Sequence, residues 1–237
     1  GLQTVTWLIE GKVEHRDSLG SVQQILPGQV NIMTAGQGIS HSELSQIGPE
    51  NLHAVQLWVA LPQQFRGIQP LFEHRADLPV LQLDGAKATV FAGEFLGAKA
   101  QTKVFSAMMG AELRFTGQNQ TLIPLNERFE HGFMLASGEL RVDGVEVPLS
   151  GLYFVPAGAK SVTVQASPGS IVLMLGGRPF GEKILMWWNF IGRTHQDIAK
   201  AREDWNSEDP GRFPGFEDSI GGRIPAPDLP NVTLQSR

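Results

Sequence analysis

The sequence predicts an all-β protein made of two copies of one antiparallel unit, followed by a short helix. Three observations carry this. Short apolar runs are punctuated throughout by 27 glycines and 15 prolines, the turn chemistry of many short strands. The runs are rich in β-branched and aromatic residues that alternate with polar ones. A pattern of strand-Gly, turn-Gly, strand-Ala-Gly occurs twice: Trp7 to Gly11, Pro27-Gly28 and Met33-Thr-Ala-Gly36, then Met134 to Gly138, Leu149-Ser-Gly151 and Val155-Pro-Ala-Gly158.

Residues 4–9 read as a strand that ends at the turn signal Glu10-Gly11. Residues 12–17 alternate again, Gly20 marks a turn, and Pro27-Gly28 precedes a strand at 30–33. Residues 52–61, closed by Pro62, form a long strand in which Gln56 shares a face with Leu52, Ala54, Trp58 and Ala60. A glutamine among apolar neighbours suggests a face that looks into a cavity, or a hydrogen-bonded rim. From Pro62 to Pro79 the pattern loosens, as in a connection between halves. Strands resume at 87–91, 103–109, 112–115 and 133 onward, with further apolar runs at 170–175 and 184–191. Thr194 with Asp197 three residues on is a variant capping box, and Ile198, Ala201 and Trp205 form a stripe that should pack the helix against the barrels. Residues 209–230 read as an irregular strap. The expected divisions are 1–66, 67–193 and 194–237.

A chain of 237 residues is long enough for one large domain or two small ones. Its net charge of -5, with no long run of Lys or Arg, disfavours nucleic acid as a direct partner. No apolar run is long enough for a membrane span. With no cysteine there is neither a disulfide framework nor a thiolate site, which fits a cytoplasmic location.

The chemistry concentrates in Thr34-Ala-Gly-Gln-Gly-Ile-Ser-His41-Ser-Glu43. On an extended segment, side chains at i and i+2 share a face, so His41 and Glu43 can aim at one point. An imidazole beside a carboxylate is half of a metal site of the 2-His-1-carboxylate kind. In the second copy the fifth residue after Gly158 is Thr163, and residues 159–166 hold no His or carboxylate, so only the first copy is expected to bind metal. The other histidines take structural readings, with His15 and His131 kept as the alternatives that could complete a metal sphere. His15, among Glu14, Arg16 and Asp17, reads as a solvated, charged strand end. His53 lies opposite Gln56, His74 in the loose connection, His131 at the mouth of the second copy and His195 in the helix.

The chain resembles the pirins, two-barrel members of the cupin superfamily. Residues 4–20, the 33–43 segment and residues 52–62 carry the resemblance; the stretch 181–205 is similar to a bacterial, quercetin 2,3-dioxygenase-like branch. The resemblance implies two cupin-type β-barrels (a bicupin) and one metal, usually iron, in the N-terminal barrel. It implies His41 and Glu43 as metal ligands; on an enzyme reading Glu43 also serves as a catalytic proton acceptor, and Gln56, from its place on the 52–61 strand, lines the substrate pocket. In the family a His-x-His pair precedes the His-x-Glu pair, and here it would fall before Gly1. The N-terminal barrel is therefore expected to lack its start, and the Fe(II) or other divalent transition metal to be held weakly or to be absent. The implied activity is dioxygenation of a flavonol, a small aromatic substrate, with O2. The alternative is a metal-dependent co-regulator that binds a protein partner without turnover.

Overall fold

A computed structural model describes residues 1–45, 51–117, 120–216 and 222–236. It forms two compact units, Gly1–His74 with Gly181–Arg237, and Arg75–Phe180. The first contains β1 (Leu2–Glu10), β2 (Val13–Asp17), β3 (Val22–Ile25), β4 (Val30–Thr34), β5 (His41–Ser45), β6 (His53–Ala60) and β7 (Leu71–Arg75). They make one sheet in the order β6-β1-β4-β7 and a second in the order β3-β2-β5. These sheets face each other: Leu8 and Ala54 of one pack with Val13 and Ile25 of the other. Alternation explains the arrangement of β2, where Val13, His15 and Asp17 are buried while Glu14 and Arg16 lie outside and pair at 2.7 Å. Gly36 turns the chain from β4 toward β5 at φ 52, and a Cβ there would lie 2.1 Å from the Ile68 carbonyl oxygen. Only glycine fits that crossing.

The second unit contains β8 (Val80–Leu83), β9 (Ala86–Phe95), β10 (Ala98–Lys99), β11 (Met108–Phe115), β12 (Gln120–Pro124), β13 (Glu130–Ser137), β14 (Leu140–Val142), β15 (Val145–Val147), β16 (Leu152–Val155), β17 (Ser161–Ala166) and β18 (Ile171–Gly177). Its larger sheet runs β10-β9-β11-β18-β13-β16 with β8 on β9, and its smaller one β12-β17-β14-β15. Between them lies an apolar core that includes Leu113, Phe133, Val142, Val164 and Met174. In both units the described strands form paired antiparallel sheets rather than one sheet closed on itself. The all-β, twofold architecture is as the sequence predicts.

The chain then returns to the first unit through the hairpin β19 (Leu185–Trp187) and β20 (Phe190–Gly192) and the helix α1 (His195–Asn206). Arg193 fixes this return: its Nη2 donates to the Leu61 carbonyl at 2.8 Å and to Glu182 at 2.7 Å, and Glu182 accepts from the Gln63 amide. The compact units thus divide near 74 and 180, whereas the sequence reading divides at 66 and 193. Thr194 and Asp197 form the capping box. Among the described residues the buried stripe of α1 packs on the hairpin and the C-terminal strap, where the sequence reading expected the barrels. Ile198 and Ala201 meet Leu185 and Phe190 of the hairpin, with Phe213 and Ala226 of the C-terminal strap.

Two strand expectations change. The region 62–79 contains β7, a fourth strand of the first sheet rather than only a connection; five residues between loops carry too little periodicity to announce it. The strands expected at 103–109 and 112–115 are one, β11, and residues 103–107 precede it without strand structure. Gly110 is not a turn: a Cβ there would lie 2.3 Å from the Phe91 ring, so the glycine admits an aromatic neighbour inside a continuous strand. Among the described residues no helix is long and apolar enough to cross a membrane.

Candidate metal centre

β2 and β5 pair so that His15 lies opposite Glu43 and Asp17 opposite His41. Four ionisable side chains therefore share the inner face of a two-strand ladder. Across from them, Thr6 of β1 donates its hydroxyl to Glu43 Oε1 at 3.0 Å. The Gln56 amide donates to Glu43 Oε2 and, at 3.3 Å, to the Thr6 hydroxyl. Both carboxylate oxygens are held from the facing sheet, which fixes the Glu43 side chain toward its neighbours. His15 completes the enclosure: its Nδ1 lies 3.8 Å from Glu43 Oε1 and its Nε2 3.0 Å from Asp17 Oδ2. Its ring stacks on Phe72 at 4.3 Å and lies 5.7 Å from the His41 ring.

His15 is thus not a solvated strand end. It is 1 % exposed, as is Asp17, because period-2 alternation directs both inward with Val13 and leaves Glu14 and Arg16 outside. That alternation was the signal available in the sequence; the surrounding charges obscure it. Asp17 is held further by the backbone amides of Leu19 and Ser21, at 2.9 and 3.1 Å. Gln56 is exposed on β6, on the side turned to β5, where its amide engages Glu43 and Thr6.

The electrostatics follow from these contacts. Burial acts to push the His15 pKa down, but the carboxylates of Asp17 and Glu43 outweigh it and raise the pKa above the ordinary imidazole value. Burial likewise acts to raise the carboxyl pKa of Glu43, and the hydrogen bond from His15, the nearby His41 and the Thr6 hydroxyl bring it below the ordinary value. Asp17 is held low against burial by His15 and by the Ser21 and Leu19 amides. His41 retains solvent exposure at the end of β5, yet the protein packed around the rest of its ring lowers its pKa, and Glu43 opposes that shift only in part. A neutral imidazole beside an ionised carboxylate is the protonation state a metal ligand pair requires.

The donor set can be tested against a metal. His41 and Glu43 supply one nitrogen and one oxygen of the kinds that suit divalent first-row ions. Among the described residues no group of three or more His, Cys, Asp or Glu side chains is gathered in metal-holding geometry. The pair fits part of a coordination shell, and His15 and Asp17 are occupied with each other beside it.

Comparisons with known proteins place the chain in a family. The pirin family model matches residues 1–59 and the pirin C-terminal cupin domain model matches residues 110–213. A candidate quercetin 2,3-dioxygenase of Pseudomonas aeruginosa is 43 % identical over 230 residues, covering 97 % of this chain and 73 % of that protein. A pirin-like protein of Caulobacter vibrioides is 36 % identical, covering 97 % of this chain and 76 % of its own. Among solved structures, a quercetin 2,3-dioxygenase from Acinetobacter baumannii superposes with a TM-score of 0.96 at 44 % identity, covering 100 % of this chain and 78 % of that one. A bacterial pirin from Escherichia coli, solved in complex with nickel(II), superposes with a TM-score of 0.61 at 26 % identity, covering 75 % and 73 % of the two chains. With its two antiparallel units and this level of identity to pirin-like relatives along almost its whole length, the chain belongs to the pirin family.

Proposed function

We propose that this chain is a metal-dependent oxidoreductase of the quercetin 2,3-dioxygenase kind, acting on a flavonol or similar hydroxylated aromatic with O2. The observation that carries the reading is the Glu43 carboxylate, held by Thr6 and Gln56 and adjacent to His41 on the inner face of the first unit. The similarity to proteins described as quercetin 2,3-dioxygenases supplies the substrate class. His41 and Glu43 would hold the metal, iron being the family's usual choice; when bound, it supplies the electron transfer to O2 that side chains cannot.

The protein's own residues do the rest. Thr6 and Gln56 orient Glu43, and the depressed pKa keeps its carboxylate ionised, able to accept a proton from a phenolic hydroxyl at neutral pH. Asp17 holds His15, and His15 with Phe72 walls one side of the site.

The test uses the full chain under saturating Fe(II), loaded without oxygen. On admission of O2, quercetin absorbance should bleach with matching oxygen uptake. His41→Ala should lose both the turnover and the bound iron measured by atomic spectrometry. Iron retained in full by His41→Ala would overturn the ligand assignment, and no turnover of any flavonol by iron-saturated wild type would overturn the activity.

A further inference from the structure

The inner face of the first unit carries polar groups beyond those that hold Glu43. Asn31 of β4 lies directly opposite Thr6 of β1, so its side chain shares the face from which Thr6 reaches Glu43. Asn31 is 2 % exposed. Its Oδ1 lies 2.8 Å from His74 Nδ1, and its Nδ2 has no hydrogen-bond partner. Phe72, two residues before His74 on β7 and hence on the same face, stacks on His15. Asn31, His74 and Phe72 therefore line the same interior as His41 and Glu43, on the opposite sheet.

We infer that Asn31 is a substrate-binding residue: its Nδ2 donates a hydrogen bond to a carbonyl or phenolate oxygen of the bound aromatic. A buried amide N–H without a partner is costly, and Asn31 lies beside Thr6, the residue that reaches Glu43, so an oxygen-rich ligand bound there would supply the missing acceptor. His74 sets the orientation, because its Nδ1–H donates to Oδ1 and turns Nδ2 away from β7. The corresponding position of the second unit, opposite Phe133, is Tyr153. It stands beside an apolar core and presents no amide.

The inference rests on the activity proposed above, and one experiment separates the two. Quercetin is titrated without oxygen into the Fe(II)-loaded full chain, wild type and variants, while iron content and thermal stability are measured in parallel. Asn31→Asp keeps the acceptor for His74 and removes only the donor; Asn31→Leu removes both and serves where the charged variant is poorly folded. Each should weaken quercetin binding about tenfold with iron content unchanged, and should raise KM more than it lowers kcat. Binding within twofold of wild type in a folded variant overturns the inference, leaving Nδ2 satisfied by water, while the activity stands. Wild type that neither binds nor turns over quercetin overturns the activity and the inference with it.

Discussion

The two units place opposite chemistry on one backbone plan. β1 and β13 each carry a register shift in the same place, between Leu8 and Glu10 and between Leu135 and Ser137. Each is followed by a glycine at φ 88, Gly11 and Gly138. Aligned on these landmarks, Thr6 corresponds to Phe133, Gln56 to Met174 and His15 to Val142. The cross-strand pair His15 with Glu43 corresponds to Val142 with Val164, which puts Val162 at the place of His41. The fifth residue after Gly158, Thr163, is therefore not the counterpart of His41; the connection is one residue shorter than its equivalent, and Thr163 faces the other way from buried Val162 and Val164. The difference teaches that the fold does not need the polar cluster. One unit closes its interior with Val, Phe and Met, and the other keeps hydrogen-bonded, ionised groups there.

The largest expected effect comes from forcing the second unit to imitate the first. Val164→Glu buries a carboxyl among apolar side chains with nothing to pair it, at a cost on the order of 5 kcal/mol at neutral pH. Urea denaturation should show the loss, and a variant within about 1 kcal/mol of wild type would mean that the second interior admits water. Next comes Asp17→Ala, which leaves buried His15 with only the more distant Glu43 and strands the Leu19 and Ser21 amides. A loss of about 3 kcal/mol is expected.

The pH dependence sharpens that second test in the metal-free protein. The raised pKa of His15 contributes stability that is complete below its ordinary value of 6.5 and is lost as pH rises through the folded value. The lowered pKa of Asp17 contributes stability that is complete above its ordinary value of 3.8 and is lost as pH falls through the folded value. The advantage of wild type over Asp17→Ala should therefore be greatest between these two ordinary values and decline on both sides. A difference that does not vary with pH would break the ion-pair account.

Smaller effects follow. Thr6→Val removes one of the hydrogen bonds that orient Glu43, and metal affinity should fall roughly tenfold, measured by competition with a chromophoric chelator. The equivalent change in the second unit, Phe133→Leu, should leave metal binding untouched. Smallest is Thr194→Ala, at the cap of a helix that belongs to the first unit alone: about 1 kcal/mol, read from the thermal transition.

Much of this was legible in the sequence. Alternation and glycine punctuation located most strands, the Thr194 and Asp197 spacing located the helix start, and the His-x-Glu spacing on a strand located His41 and Glu43. Each of these is a local signal, set by side-chain periodicity or by backbone geometry over a few residues. The role of His15 was available in the same terms, in the alternation of Val13, His15 and Asp17, and was masked by Glu14 and Arg16.

Only the tertiary structure decided which side chains meet. Thr6, Asn31, Gln56 and Phe72 come from four different strands, and nothing in their local sequence says that Thr6 and Gln56 reach Glu43 or that Phe72 stacks on His15. The same holds for the return of residues 181–237 to the first unit, which depends on hydrogen bonds from Arg193 to Leu61 and from Gln63 to Glu182. Periodicity fixes the face a residue occupies. The neighbour it finds there depends on strand order and register, which are set by long-range pairing and by how whole faces pack.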